Sequence, residues 1–313
     1  FAPRPAYRIT KRGRAFLNFS LKSAAKSPVQ IEILDAQGKV IRKLEAPGKK
    51  GINRASWDLH YEPPRLIALR TEAPDNPHIW EEARFRGKDS RPVLHWGIKE
   101  AEVGPVAPSG NYTVRLTADG QSFTQPLTLM RNPRAPGTDA DIEATVKLQL
   151  RIRDDINSVS DMVNQIEWTR KQLDDVVKML HTQMNDAGLL KSVDEMGEKL
   201  LAIEVRLAGR EPLDSDDKYY VEAYKPYFNL IWLNGEVGSG AGDVAGGADF
   251  APTAANLEVL AVIEKDLTAV QTDYRNLIEK EIPGFNRSLA RHGITPLTAG
   301  VPVAVANPDR SER

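Results

Sequence analysis

The residues of this chain able to do more than pack are five histidines and a scatter of paired carboxylates. His60, His78, His95, His181 and His292 include no pair three or four residues apart, the spacing that sets two imidazoles on one helical face around a metal ion. Cysteine is absent, which excludes disulfides, thiolate metal sites and thiol nucleophiles, and no serine stands in a Gly-x-Ser-x-Gly elbow. The pairs Asp154/Asp155, Asp174/Asp175 and Asp216/Asp217 lie in polar stretches and read as solvated surface, because carboxylates are rarely buried. Asp214-Ser215-Asp216-Asp217 opens like a calcium loop but lacks the glycine and the closing glutamate. Gly238-Ser239-Gly240-Ala241-Gly242 has clustered amides that could cradle a phosphate. It follows a helical pattern, however, and lacks the lysine and hydroxyl residue of that motif, so an interhelical connection is the better reading. No catalytic, cofactor-binding or metal-ligating residue is therefore expected.

Aromatic side chains offer the alternative chemistry of contact. Residues 62–108 break an otherwise regular pattern with proline, charge and the rings of Trp80, Phe85 and Trp96. A connection of that length is functional or disordered. The tryptophans either cap a neighbouring core or form a loop for a partner or ligand, and these three residues are the candidate contact set. Tyr219, Tyr220, Tyr224, Tyr227, Phe228 and Trp232 form a denser cluster whose helical spacing reads as a core layer, a carbohydrate or peptide platform being the alternative.

Two kinds of element must position these residues. From Phe16 to Met130 apolar residues alternate in short runs: Phe16–Leu21, Val29–Ile33 returning through Asp35-Ala36-Gln37-Gly38 to Val40–Leu44, Gly51–Tyr61, and Tyr112–Leu116 joined across Asp119-Gly120 to Phe123–Leu129. Six or seven such strands predict an immunoglobulin-like antiparallel β-sandwich. Asn132–Gly137 is a stiff polar break, after which Thr138 and Asp139 can cap a helix. From Asp139 to Met184 there is neither proline nor glycine. Ile152, Ile156, Val159, Val163, Ile166, Leu173, Val177, Leu180 and Met184 follow at steps of four and three, broken only by Arg170. Leu189–Leu207 repeats the rhythm and should run antiparallel to this spine. Tyr219–Asn234 reads as a shorter helix kinked at Pro226, and a last helix spans Pro252 to about Glu281, with periodicity lost beyond Pro283.

The expected architecture is thus multidomain β plus α. Residues 1–131 form the sandwich with its long insertion 62–108, 132–138 a linker, 139–295 an elongated antiparallel bundle of three or four helices, and 296–313 an irregular tail. Forty-two basic against 43 acidic side chains leave no global field to attract nucleic acid, and no apolar run approaches the roughly 20 residues that span a bilayer.

The run Gly51–Tyr61, followed after the insertion by Gly104-Pro105-Val106-Ala107-Pro108-Ser109-Gly110-Asn111-Tyr112-Thr113-Val114-Arg115-Leu116, resembles the carboxyl-terminal region of large bacterial exported proteins. The main body of those proteins is a sortilin-like or BNR-repeat β-propeller, often labelled glycosyl hydrolase. The Gly-x-Tyr-x-Val-x-Leu strand is similar to the immunoglobulin-like module of flagellar hook-cap proteins. The helical half, with Leu200–Glu204 and Tyr227–Asn234, fits the same resemblance more loosely. The resemblance implies that any hydrolase activity resides in an upstream propeller, since the propeller's Asp-box does not occur here. It implies a periplasmic, cell-envelope or secreted location and an accessory role in protein–protein or envelope contacts, with no cofactor. Two alternatives stay open: the 62–108 loop completes a carbohydrate or peptide site of a propeller protein, or the chain is a subunit of a multi-chain envelope assembly.

Overall fold

The computed structural model describes residues 3–8, 13–93, 104–184, 186–210, 223–238 and 249–305. The protein is mixed β and α, and it divides into two compact units interleaved in sequence. One comprises residues 1–64, 101–153 and 234–257, the other 65–100, 154–233 and 258–313. Composition, by contrast, divides the chain once, at 132–138.

In the first unit the alternating runs become strands β1 (Ala6–Tyr7), β2 (Ala15–Leu21), β3 (Val29–Leu34), β4 (Val40–Ala46), β5 (Gly51–Trp57), β6 (Gly110–Ala118) and β7 (Gln121–Met130). Five of them pair in the order β1-β7-β6-β3-β4, and β2 pairs antiparallel with β5 in a separate sheet. Only β1 runs parallel to its neighbour, with Ala6 opposite Leu129. The β6–β7 hairpin turns on Asp119 and Gly120, at φ 47° and 81°. Two consecutive positive φ values suit the right-handed twist of the flanking strands, which explains the Asp-Gly pair. Inward residues of both sheets share one apolar cluster, including Leu17 and Phe19 of β2, Trp57 of β5, Ile31 and Ile33 of β3, Val114 of β6 and Leu127 of β7. Trp57 donates through Nε1 to the His60 carbonyl at 2.8 Å and meets the Tyr112 ring edge-on at 5.5 Å, so its polar atom is satisfied where the ring is buried.

The spine helix is α1 (Asp139–Met179), which widens to a π turn at Leu180–Met184. A reciprocal capping box starts it: Asp141 N donates to Thr138 Oγ1 at 3.1 Å, and Thr138 N to Asp141 Oδ2 at 2.8 Å. Its seam is buried as expected except at the end, where Val176 replaces Val177 in the core and Met184 is exposed. A straight helix turns 3.6 residues per turn, so a strict four-three seam drifts off its face over this length. The start of α1 belongs to the first unit, where Thr145 Oγ1 donates to the Phe250 carbonyl at 2.7 Å.

The second unit holds the rest of α1, α2 (Ala187–Ala208), most of α3 (Pro226–Val237), and α4 (Ala254–Asn276) running through a π turn at Leu277–Glu281 into α5 (Ile282–Arg291). Arg170 meets Glu204, and the space beside Gly197 is bounded by Leu173, the descending order of antiparallel neighbours on α1 and α2. Lys199 and Arg206 pair with Glu281 and Asp273 in the same descending sense.

Two expectations about proline are corrected. Pro226 does not kink a helix; it opens α3 as its first residue, where its missing N–H would be unpaired anyway. Periodicity does not end at Pro283 either, because the helix continues to Arg291. The π turn just before it resets the hydrogen-bond register, and Pro283 falls in the first turn of α5, where no donor is required.

Candidate functional site

The polar residues of α1 in the second unit are where ionisable groups converge. Asn157, Asp161, Asn164, Glu167 and Arg170 follow at steps of four, three, three and three, so that each is a surface neighbour of the next along the helix. Against this row lies the irregular segment 65–71. Asn157 Oδ1 accepts the Arg65 backbone N–H at 2.7 Å, and the Arg65 guanidinium grips Asp161 through two bonds of 2.6 Å. Asn164 presents its amide as a peptide would: Oδ1 accepts Ala68 N–H at 2.8 Å and Nδ2 donates to the Leu66 carbonyl at 2.9 Å. Glu167 closes the row. Its Oε2 accepts the N–H groups of Arg70 and of Thr71, the latter at 2.8 Å, and its Oε1 accepts Thr71 Oγ1 at 2.6 Å.

Behind Glu167 sits a second carboxyl. Arg170 Nη1 reaches Glu167 Oε1 at 2.9 Å and Glu204 Oε2, from α2, at 2.8 Å. Glu204 is fully enclosed and Glu167 almost so. Burial first, then the neighbouring Glu167 carboxylate, pushes the Glu204 carboxyl well above its usual range, against the opposing pull of Arg170. One guanidinium thus faces two carboxyls, and burial favours the neutral form of Glu204. Glu204 Oε1 is buried and has no hydrogen-bond partner among the described residues.

Chemically, a carboxyl beside a carboxylate is the arrangement of general acid–base catalysis. Here the acceptor atoms of Glu167 are already occupied by Arg70, Thr71 and Arg170, and the surrounding chain closes over both groups. What the arrangement does is hold a stretch of backbone that has no strand to pair with.

The candidate contact residues fall just beyond that stretch. Phe85 is buried against Ala73 and Ile79, with Trp80 packed on the same cluster. Trp80 Nε1 points to the Thr71 carbonyl at 3.3 Å, and the Arg91 guanidinium lies over its ring at 5.9 Å. Arg84 covers Phe85 at 4.7 Å. Leu69 and Arg91 exchange backbone hydrogen bonds of 2.8 and 2.9 Å, closing the segment on itself. Trp80 and Phe85 are therefore brought together, while Trp96 lies outside the described residues, as do His95, Tyr219, Tyr220, Asp214–Asp217 and all of the glycine-rich run but Gly238. In the other aromatic cluster Tyr227 and Phe228 are buried and meet edge-on at 5.2 Å, and Tyr224 stacks on Trp232.

Amide clamps recur in this unit. Asn286 donates to the Leu297 carbonyl at 2.9 Å and accepts its N–H at 2.8 Å, and Gln172 makes the same two bonds with Thr298 at 2.9 and 2.8 Å. Sequence reasoning missed this device, although the 4-3-3 spacing of Asn157, Asp161, Asn164 and Glu167 was its signal. Polar residues on a regular flank read as solvated until a facing segment is known.

Among the described residues no group of three or more His, Asp or Glu side chains is placed to hold a metal ion, and no helix is long and apolar enough to cross a membrane. Comparison with models of protein families, with curated proteins and with solved structures finds no match.

Proposed function

We propose that this chain is a non-catalytic accessory module: an immunoglobulin-like sandwich followed by an elongated helical bundle, serving protein–protein or envelope contacts beside a bacterial β-propeller. Its setting would be the periplasm, the cell envelope or the secreted medium, by the sequence resemblance given above. The observation that carries the non-catalytic reading is the commitment of Glu167 to the chain's own backbone at Arg70 and Thr71, with Arg170 tied between Glu167 and Glu204. Support for the sandwich comes from the apolar cluster shared by two sheets, and from Tyr112, whose hydroxyl donates to the Pro108 carbonyl four residues upstream at 2.6 Å. A tyrosine anchoring its own strand in this way is a habit of such sandwiches. Support for the bundle comes from the descending contacts along α1, α2 and α4.

The test is a turnover assay on the purified chain with chromogenic glycosides and peptides, alongside cross-linking in an envelope fraction. The proposal expects no hydrolysis and cross-links to one propeller-bearing polypeptide. Hydrolysis that follows the protein through purification and disappears in Glu204→Gln would overturn it.

A further inference from the structure

Of the two sheets among the described residues of the first unit, the smaller is the pair β2 and β5, and all seven residues of β2 are in register with β5. In an antiparallel pair every second residue turns its N–H and C=O away from the partner, so β2 presents a row of such groups on its far side. No described residue bonds to them. The other lateral edges are treated differently. On β4 the outer groups are used: Ile41 O accepts Glu62 N–H at 2.8 Å and Lys43 N–H goes to the Glu62 carboxylate at 2.5 Å. On β5 the Asn53 amide folds back on the Lys49 and Gly51 carbonyls at 2.7 and 3.0 Å. The β1 edge is only two residues long. β2 carries no proline, charge or bulge, the devices that blunt such an edge.

The face around that edge has a chemical sign. Phe16 and Ile52 are exposed on it, Ile52 at 87%. Arg54 lies over the Phe16 ring at 5.3 Å, and Arg14, Lys22, Lys49 and Lys50 are exposed nearby in sequence. Residues 9–31 and 46–57 contain no aspartate or glutamate, and none of these five cations is in an ion pair among the described residues. An unpaired backbone row needs a strand, and basic flanks with exposed apolar side chains select a strand of acidic and apolar residues.

We propose that the edge of β2 facing away from β5, to which no described residue bonds, binds an extended acidic segment of a partner protein as an added strand. A second copy of this chain is a poor occupant, because its β2 edge would bring the same cations and no carboxylate. A lipid surface satisfies the charge but not the row of N–H and C=O groups. The inference is independent of the accessory-module reading, since an enzyme could carry the same edge.

The experiment uses the whole chain and three terminally blocked fluorescent peptides of seven residues, the length of β2. They alternate valine with glutamate, with serine or with lysine. The glutamate peptide is expected to bind at least about tenfold more tightly than the serine peptide, weakening as salt rises, with the lysine peptide weakest. On binding, amide exchange should slow in β2 and not in β4. The exposed double change Arg14→Glu with Arg54→Glu should reverse the glutamate and lysine order, which shows that the site and not the fold was altered. Failure of the glutamate peptide to bind, equal binding of all three, protection outside β2, a stable dimer of the free chain, or attachment to anionic vesicles without peptide binding would each overturn the proposal.

Discussion

The strands of the first unit and the irregular segment 65–71 of the second are both largely buried, yet their backbones are satisfied by different means. In β3, β6 and β7 peptide meets peptide, and side chains are free to be apolar. In 65–71 the partners are the amides and carboxylates of α1, each of which must be drawn from water to serve. A ladder spreads its stability over many equivalent bonds, whereas the α1 flank concentrates it in three or four side chains. Single substitutions should therefore be felt far more in the second arrangement.

The largest effect is expected at Glu167. Glu167→Ala leaves the N–H groups of Arg70 and Thr71 without acceptors inside a closed site, and should cost about 3–5 kcal/mol in urea unfolding, the range for breaking one side of a buried polar pair. Asn164→Ala should cost about 2–3 kcal/mol, since both Ala68 N–H and Leu66 C=O lose their partner. An outward substitution on β6, such as Thr113→Ala, should by comparison shift the midpoint by about 0.5 kcal/mol or less. Equal losses at Asn164 and Thr113 would erase the distinction drawn above.

Acidity sharpens the comparison further. The Glu204 carboxyl is raised in the folded protein, so the folded state keeps a proton that the unfolded chain releases above its ordinary value of 4.5. Below that value the group contributes nothing against folding. As pH rises from it toward the folded value, stability falls, because the unfolded state binds fewer protons. Glu204→Gln keeps a neutral donor and should flatten this part of the stability–pH curve while raising stability at neutral pH; an unchanged slope would mean the proton is elsewhere. Among the side-chain clamps the smallest effect is expected at the exposed one, where Gln172→Ala should cost about 0.5–1 kcal/mol and free only the segment around Thr298 to faster exchange.

The strands were legible because alternation and the Asp-Gly turn are local, and the seam of α1 was legible because period 3.5 admits no other element. Less legible was anything set by a facing partner. Trp80 and Phe85 could be named as contact residues, but not that they would meet Ala73 and Ile79 with Arg91 and Arg84 above their rings. Glu204 sat within a heptad helix, at a position indistinguishable in sequence from any solvated glutamate. Its burial depends on Arg170, the one residue that interrupted the apolar seam of α1. The anchoring of the irregular tail was hidden for the same reason, since Asn286 and Gln172 hold Leu297 and Thr298 through side chains whose spacing shows only that they are polar.

The central claim is that Glu167 and its neighbours on α1 are a lock for 65–71 and not a reacting centre. Amide hydrogen exchange resolved to single residues tests it most directly. The Arg70 and Thr71 amides should be among the slow ones in the native protein, and should exchange at least about tenfold faster in Glu167→Ala while the β6 amides keep their rates. Free exchange of those two amides in the native protein would contradict the claim.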